Sequence, residues 1–114
     1  MGAPPVTIRR GSVVLVRFPF SDLSASKRRP AVVLADAGRG DYVLAQVTSK
    51  PYADPNAVEL TETSFARGGL NLTSYVRPGK LFTANGALIA GDVGALTGVA
   101  LDGLVSTVVR LLEG

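Results

Sequence analysis

Three stretches of this chain carry the residue types that suit work on a phosphate. The first is Lys27-Arg28-Arg29-Pro30, three consecutive cations that run into the apolar segment Ala31-Val32-Val33-Leu34. A guanidinium is planar, stays charged and pairs bidentately with phosphate oxygens. Arg29 adjoins the proline and a rigid apolar strand, so it is the first candidate for a phosphate contact, with capping of a strand end as its plainer role. The second stretch is Gln46-Val47-Thr48-Ser49-Lys50, where two hydroxyls end a strand beside a lysine. Such hydroxyls donate to phosphate oxygens or satisfy the local backbone. The third is Tyr75-Val76-Arg77-Pro78-Gly79-Lys80, an aromatic among cations. That mixture suits single-stranded nucleic acid, through stacking and backbone contact. Alternation along a strand turns Tyr75 and Arg77 to one face. Tyr75 in a core with Arg77 covering it is the other reading. Phe18-Pro19-Phe20 offers further rings, for stacking on bases or for the root of a core.

Composition narrows the chemistry. The chain of 114 residues contains no histidine and no cysteine. Imidazole acid–base chemistry, a Ser-His-Asp triad, thiolate metal sites and disulfides are therefore excluded. Any catalysis falls to Arg, Lys, Asp, Glu, Tyr, Ser or Thr. Residues 1–30 hold Arg9, Arg10, Arg17, Lys27, Arg28 and Arg29 against Asp22 alone, a local balance of +5, while the remainder carries −2 within a net charge of +3. That asymmetry points to a polyanion, nucleic acid before membrane, or to a solvated basic face. No Gly-x-x-x-x-Gly-Lys pattern occurs, so Gly68-Gly69 is not a phosphate loop.

The elements that must hold these residues read as follows. A length of 114 residues, 46 % hydrophobic and 18 % charged, implies one compact domain. Residues 10–114 are expected to form it, after a flexible tail over residues 1–9. No apolar run is long enough to span a membrane, and Met1-Gly2-Ala3-Pro4-Pro5 lacks a signal core, so a cytoplasmic protein is expected. Strands are expected over 12–19, 30–36, 42–49 and 57–60, with a polar loop over 20–29. Thr63 to Arg67 reads as a helical turn. Residues 73–77 and 80–83 read as strand pieces around a bend or bulge at Pro78-Gly79. Residues 86–93 fit strand or helix. Leu101, Leu104, Val105, Val108, Leu111 and Leu112 recur at helical spacing and predict a C-terminal amphipathic helix over 99–112, with Thr97 near its N-cap. Many short strands with one closing helix make a mostly β, mostly antiparallel small barrel.

In order and spacing, these segments resemble the MazF/PemK family of toxins from bacterial toxin–antitoxin pairs. The matching residues are Gly11-Ser12-Val13-Val14-Leu15-Val16-Arg17-Phe18-Pro19-Phe20-Ser21-Asp22-Leu23 and Lys27-Arg28-Arg29-Pro30-Ala31-Val32-Val33-Leu34. Val47-Thr48-Ser49, Gly68-Gly69-Leu70, Ser74-Tyr75-Val76-Arg77-Pro78 and Lys80-Leu81-Phe82-Thr83 follow. The resemblance implies an SH3-like barrel with a C-terminal helix, usually a homodimer. It implies a metal-independent, cofactor-free and ribosome-independent endoribonuclease that cuts single-stranded RNA at short sequences. It also implies a cognate antitoxin that covers the RNA site. By the family's motifs, Arg29 and Thr48 act at the scissile phosphate and Arg77 assists. Lys27, Arg28, Ser49, Tyr75, Lys80 and Phe20 are the expected RNA contacts. Members often carry an acid two positions after the second arginine. Here that position is Gly79, which leaves the general base open, with Asp22 as a candidate replacement. The alternative is a non-catalytic module of the same shape that binds nucleic acid or protein, including a topoisomerase-inhibiting toxin.

Overall fold

The fold was analysed in a computed structural model that describes residues 7–18, 27–51 and 53–114. Among the described residues, seven strands and one helix follow one another. They are β1 (Ser12–Phe18), β2 (Lys27–Gly38), β3 (Asp41–Thr48), β4 (Val58–Leu60), β5 (Phe65–Gly68), β6 (Ser74–Asn85), β7 (Ile89–Leu96) and α1 (Gly98–Glu113). Two 3₁₀ turns, Glu62–Ser64 and Gly86–Leu88, join β4 to β5 and β6 to β7. The strands pair antiparallel in the order β4-β6-β3-β2-β1-β7-β5 and curl into a half-barrel. The mostly β barrel with a closing helix is thus the architecture observed.

Alternation fills both faces of the central strands. Val13, Val32, Ala45, Val47 and Val76 point to one side and pack with Leu101, Leu104 and Val108 of α1. Val14, Val16, Ala31, Val33 and Leu44 point to the other side, where Ile8, Tyr42, Phe82 and Ile89 cover them. A strand buried on both faces reads as a continuous apolar run, which is why β1 and the body of β2 were visible in the sequence. The Thr97 hydroxyl caps α1 by accepting from the Ala100 amide at 3.1 Å, replacing a missing helical acceptor. The helical stripe stops being buried near its end: Leu111 is 39 % exposed and Leu112 71 %. No helix among the described residues is long and apolar enough to cross a membrane.

Three elements differ from the sequence expectation. Strand two begins at Lys27, not Pro30, so the cations lie within it and not at its mouth. They are drawn in by backbone pairing with β1, from Val13↔Val32 through to Phe18↔Lys27, which needs no apolar side chains. Pro30 is tolerated inside the strand because the ladder to β3 stops at Ala31↔Gln46, one residue short of it. The helical turn expected over 63–67 is a 3₁₀ turn followed by β5. Residues 73–77 and 80–83 form one strand, β6. Between Ala45↔Leu81 and Val47↔Val76 this strand advances by more residues than β3 does, so Pro78-Gly79 is a bulge inside it. The segment 86–93, which fitted strand or helix, holds the 3₁₀ turn Gly86–Leu88 and the first part of strand β7.

Gly68 fixes where β5 crosses β7. Its φ is +64°, and a Cβ there would sit 2.1 Å from the Val93 carbonyl oxygen. Only glycine permits that approach. The Gly68-Gly69 pair therefore has a packing cause, and it launches the segment 69–73 that walls the site.

Candidate nucleic-acid interface

The site forms where β2 and β3 part company. The β2–β3 register runs Ala31↔Gln46, Val32↔Ala45, Val33↔Leu44. Extended two residues beyond its last pair, it sets Arg29 opposite Thr48. Pro30 has no N–H to give, and the opened strand ends leave a cleft of about 320 Å³. Arg29, Pro30, Val47, Thr48 and Ser49 line one side, and Leu70, Asn71, Leu72 and Ser74 line the other. Arg29 is exposed. It makes no hydrogen bond or ion pair with the described residues, so its guanidinium is available to an anion.

The two hydroxyls differ. Thr48 Oγ1 donates to the Lys50 carbonyl at 3.0 Å and accepts from the Lys50 amide at 3.1 Å. This is the local backbone turn that a strand-end threonine often makes. Its single proton must leave the Lys50 oxygen before it can serve a ligand. Ser49 is exposed and makes no such bond with the described residues. Across the cleft, the buried Ser74 hydroxyl donates to the Leu72 carbonyl at 2.9 Å. That bond holds the wall and leaves Leu72 two-thirds exposed at the rim.

Tyr75 and Arg77 lie beside the cleft rather than in its lining. Tyr75 is half-buried and sits opposite Thr48 on one side and Glu59 on the other. Because Val47 and Val76 face the helix-side core, Thr48, Tyr75 and Arg77 face the opposite way. Arg77 Nε donates to Asp54 Oδ2 at 3.0 Å, with the two side chains only 23 % and 12 % exposed. The Asn56 amide donates to Asp54 Oδ1 at 2.9 Å. That amide first, and Arg77 second, hold the Asp54 carboxyl below the usual carboxylate range. Asp54 is therefore ionised and doubly engaged at neutral pH, a weak acceptor for a proton. Gly79 lies elsewhere: a Cβ added there would meet Leu111 at 3.5 Å, towards the end of α1.

Of the other expected contacts, Arg28 is exposed and opposite Arg17, and Lys80 is exposed in the β6 bulge. Lys27 opens β2 with its backbone opposite Phe18; its side chain lies outside the described residues. Phe20 and Asp22, with the other residues of 19–26, Tyr52 and residues 1–6, also lie outside them. The structure thus brings Arg29, Thr48 and Ser49 to one cleft, sets Tyr75 and Arg77 beside it, and places Arg28 on another face. Sequence reasoning missed the opposing wall, Leu70 to Leu72 with Ser74. The Gly68-Gly69 pair was its only signal.

Residues 9–112 match the model of the PemK-like, MazF-like toxin family of type II toxin–antitoxin systems. The chain belongs to this family. No curated protein gives a significant sequence match. Among solved structures, the toxin is similar to a mycobacterial endoribonuclease in complex with its cognate antitoxin, at TM-score 0.69 and 17 % identity over 99 % of this chain and 96 % of that one. It is also similar to MazE–MazF from Deinococcus radiodurans, at TM-score 0.72 and 22 % identity over 91 % and 94 %. The Mycobacterium tuberculosis toxin MazF-mt6 gives TM-score 0.69 and 16 % identity over 90 % and 96 %. At these identities the likeness is one of fold.

Proposed function

We propose that this toxin is a sequence-specific endoribonuclease that cuts single-stranded RNA without a metal, a cofactor or the ribosome. In this reading it acts in the cytoplasm as a homodimer, and a cognate antitoxin neutralises it by covering the cleft. The observation that carries the reading is that Arg29, Thr48 and Ser49 line one cleft. The solved relatives described as endoribonucleases, one of them bound to its antitoxin, support the class of activity and the kind of partner.

The chemistry is an internal transfer. The ribose 2′-oxygen attacks the adjacent phosphorus as its proton leaves. The bond to the 5′-oxygen of the next nucleotide breaks, and that oxygen takes up a proton. The products are a 2′,3′-cyclic phosphate and a 5′-OH end. Negative charge gathers on the non-bridging oxygens in the transition state. Arg29 meets that charge, and Thr48 donates to it after releasing the Lys50 carbonyl. Ser49 supplies a second hydroxyl. Losing one such preorganised donor costs about 3–4 kcal/mol, or roughly 100- to 1,000-fold in rate. The part of Arg77 is electrostatic, at the leaving oxygen. Lys27, Arg28 and Lys80 guide the RNA backbone, with Tyr75 and Phe20 as stacking surfaces.

The lining of the cleft favours one rival. Among the described residues its lining contains no carboxylate, and Asp54 is held ionised by Asn56 and Arg77. A module that binds RNA without cutting it fits those two facts. Incubating the purified protein with single-stranded RNA in chelator separates the readings. Cyclic-phosphate ends, lost in Arg29→Ala, are expected. Binding without products supports the module, and dependence on added Mg²⁺ overturns the mechanism.

A further inference from the structure

A second and larger cavity, of about 710 Å³, backs onto the cleft. Leu70, Asn71 and Leu72 line both, so the wall between them is a single segment of chain. The floor of this cavity is apolar. Leu60 is buried in the helix-side core, and Phe65 and Leu70 pack on that core while staying half-buried. The rim is polar, with Glu62 and Asn71 both exposed there. The turn that carries Glu62 is braced on several sides. The Thr61 amide donates to Ser64 Oγ at 3.0 Å, and the Ser64 amide donates back to the Thr61 carbonyl at 3.0 Å. The Thr97 amide, at the cap of α1, donates to the Ser64 carbonyl at 2.9 Å. The hydroxyls of Thr61 and Thr63 bond to each other at 2.9 Å. The Glu62 side chain is in none of these bonds, so a rigid turn holds its carboxylate at the rim.

We propose that this cavity is a base-reading subsite, in which Glu62 and Asn71 select a nucleobase that carries an amino group on its Watson–Crick edge. The subsite rests on the reading of the cleft as an RNA site. A single strand laid over the shared wall keeps one phosphate at Arg29 and turns a neighbouring base into the second cavity. The carboxylate at the rim repels a phosphate, so what enters is the base and not the backbone. Unstacked bases are read in this way, with the flat face on apolar or aromatic side chains and the edge on polar groups. Phe65 and Leu70 offer the face a floor. Glu62 accepts from an amino group, as a carboxylate does from cytosine N4, and the Asn71 amide offers one donor group and one acceptor beside it. Uracil sets a carbonyl oxygen where cytosine sets that amino group, and two acceptors facing each other repel. A lysine or arginine of a protein would answer the charge of Glu62 but not the apolar floor.

The test sequences the ends that wild type, Glu62→Ala and Asn71→Ala produce from a pool of single-stranded RNA of randomised sequence. Wild type is expected to disfavour uracil at one position flanking the cut, by about 5- to 100-fold against the amino-bearing bases, the discrimination of one good edge contact. Glu62→Ala is expected to remove most of that preference at that position and to leave the other positions as they were. Asn71→Ala is expected to alter the preference at the same position. A merely structural role would slow every cut alike, so a uniform loss of rate with the cut sites unchanged overturns the subsite. A Glu62→Ala profile identical to that of wild type at an unchanged rate overturns it as well, and leaves the endoribonuclease reading standing. Binding of a tetralysine peptide by wild type and not by Glu62→Ala, with the cut sites unaltered, also overturns it and gives the cavity to a basic protein segment. If wild type cuts no RNA, the endoribonuclease reading falls and the subsite falls with it.

Discussion

Replacing Gly68 by alanine should cost more than any surface change in this toxin. The residue sits at φ +64°, and a Cβ there would lie 2.1 Å from the Val93 oxygen, 2.7 Å from Gly94 Cα and 3.0 Å from Val93 C. All three are backbone atoms, so no side-chain rotation relieves the clash. The left-handed conformation alone costs an alanine about 1 kcal/mol relative to glycine. Forcing the two strands apart adds about 1–3 kcal/mol, the usual range for overpacking. The crossing is reciprocal, since a Cβ at Gly94 would approach the Arg67 oxygen to 2.6 Å, and β7 therefore has no slack to give. A loss of about 2–4 kcal/mol is a large share of the 5–15 kcal/mol that holds a typical domain together. It should lower the melting temperature by roughly 10–25 °C at this size. Thermal unfolding followed by circular dichroism, with urea titration as a second measure, reads the effect. The damage should also reach the site, because the same glycine launches Leu70, Asn71 and Leu72 along the cleft wall. An Arg29-dependent activity should therefore fall in Gly68→Ala even at temperatures where the protein stays folded. If Gly68→Ala melts within 1–2 °C of wild type, the close β5–β7 crossing is wrong, and with it the placement of the wall.

Other substitutions probe separate parts of the structure. Thr48→Val should reduce cleavage roughly 100- to 1,000-fold by removing a transition-state donor, while Thr48→Ser retains most of it; rate constants on one RNA oligonucleotide decide this. Asp54→Asn should destabilise the protein at neutral pH and not in acid. The Asp54 pKa is lowered from 3.8, so its stabilisation is present above that pH and vanishes as pH falls through the folded-state value; urea midpoints of the two proteins should converge there. Leu104→Ala, at a fully buried residue of α1, should cost about 2–5 kcal/mol in urea unfolding by opening a cavity under the helix.

What the sequence disclosed follows from the kind of force involved. The helix was legible because burial repeats along it, at Leu101, Leu104 and Val108, and because Thr97 is a capping residue. The cores of β1, β2 and β3 were legible because they are runs of apolar and β-branched residues. The start of β2 was hidden, since Lys27, Arg28 and Arg29 join the strand through backbone pairing with β1. β5 was hidden as well: Phe65–Gly68 is short and mostly exposed, and its place is set by Gly68 meeting Val93 across the fold. At the site, Arg29, Thr48 and Ser49 could be named from their types and order. The turn between Thr48 and Lys50, and the partnership of Arg77 with Asp54, depend on three-dimensional approach, and the latter joins residues far apart in the chain.

The central claim is that Arg29 faces a scissile phosphate. Its most direct measurement is the cleavage of a single-stranded RNA oligonucleotide by wild type and Arg29→Ala in chelator, with the ends of the products identified. The account predicts 2′,3′-cyclic phosphate and 5′-OH ends from the wild type and a rate lower by roughly 100- to 1,000-fold in Arg29→Ala. Equal rates in the two proteins, or products that appear only when Mg²⁺ is supplied, would contradict it.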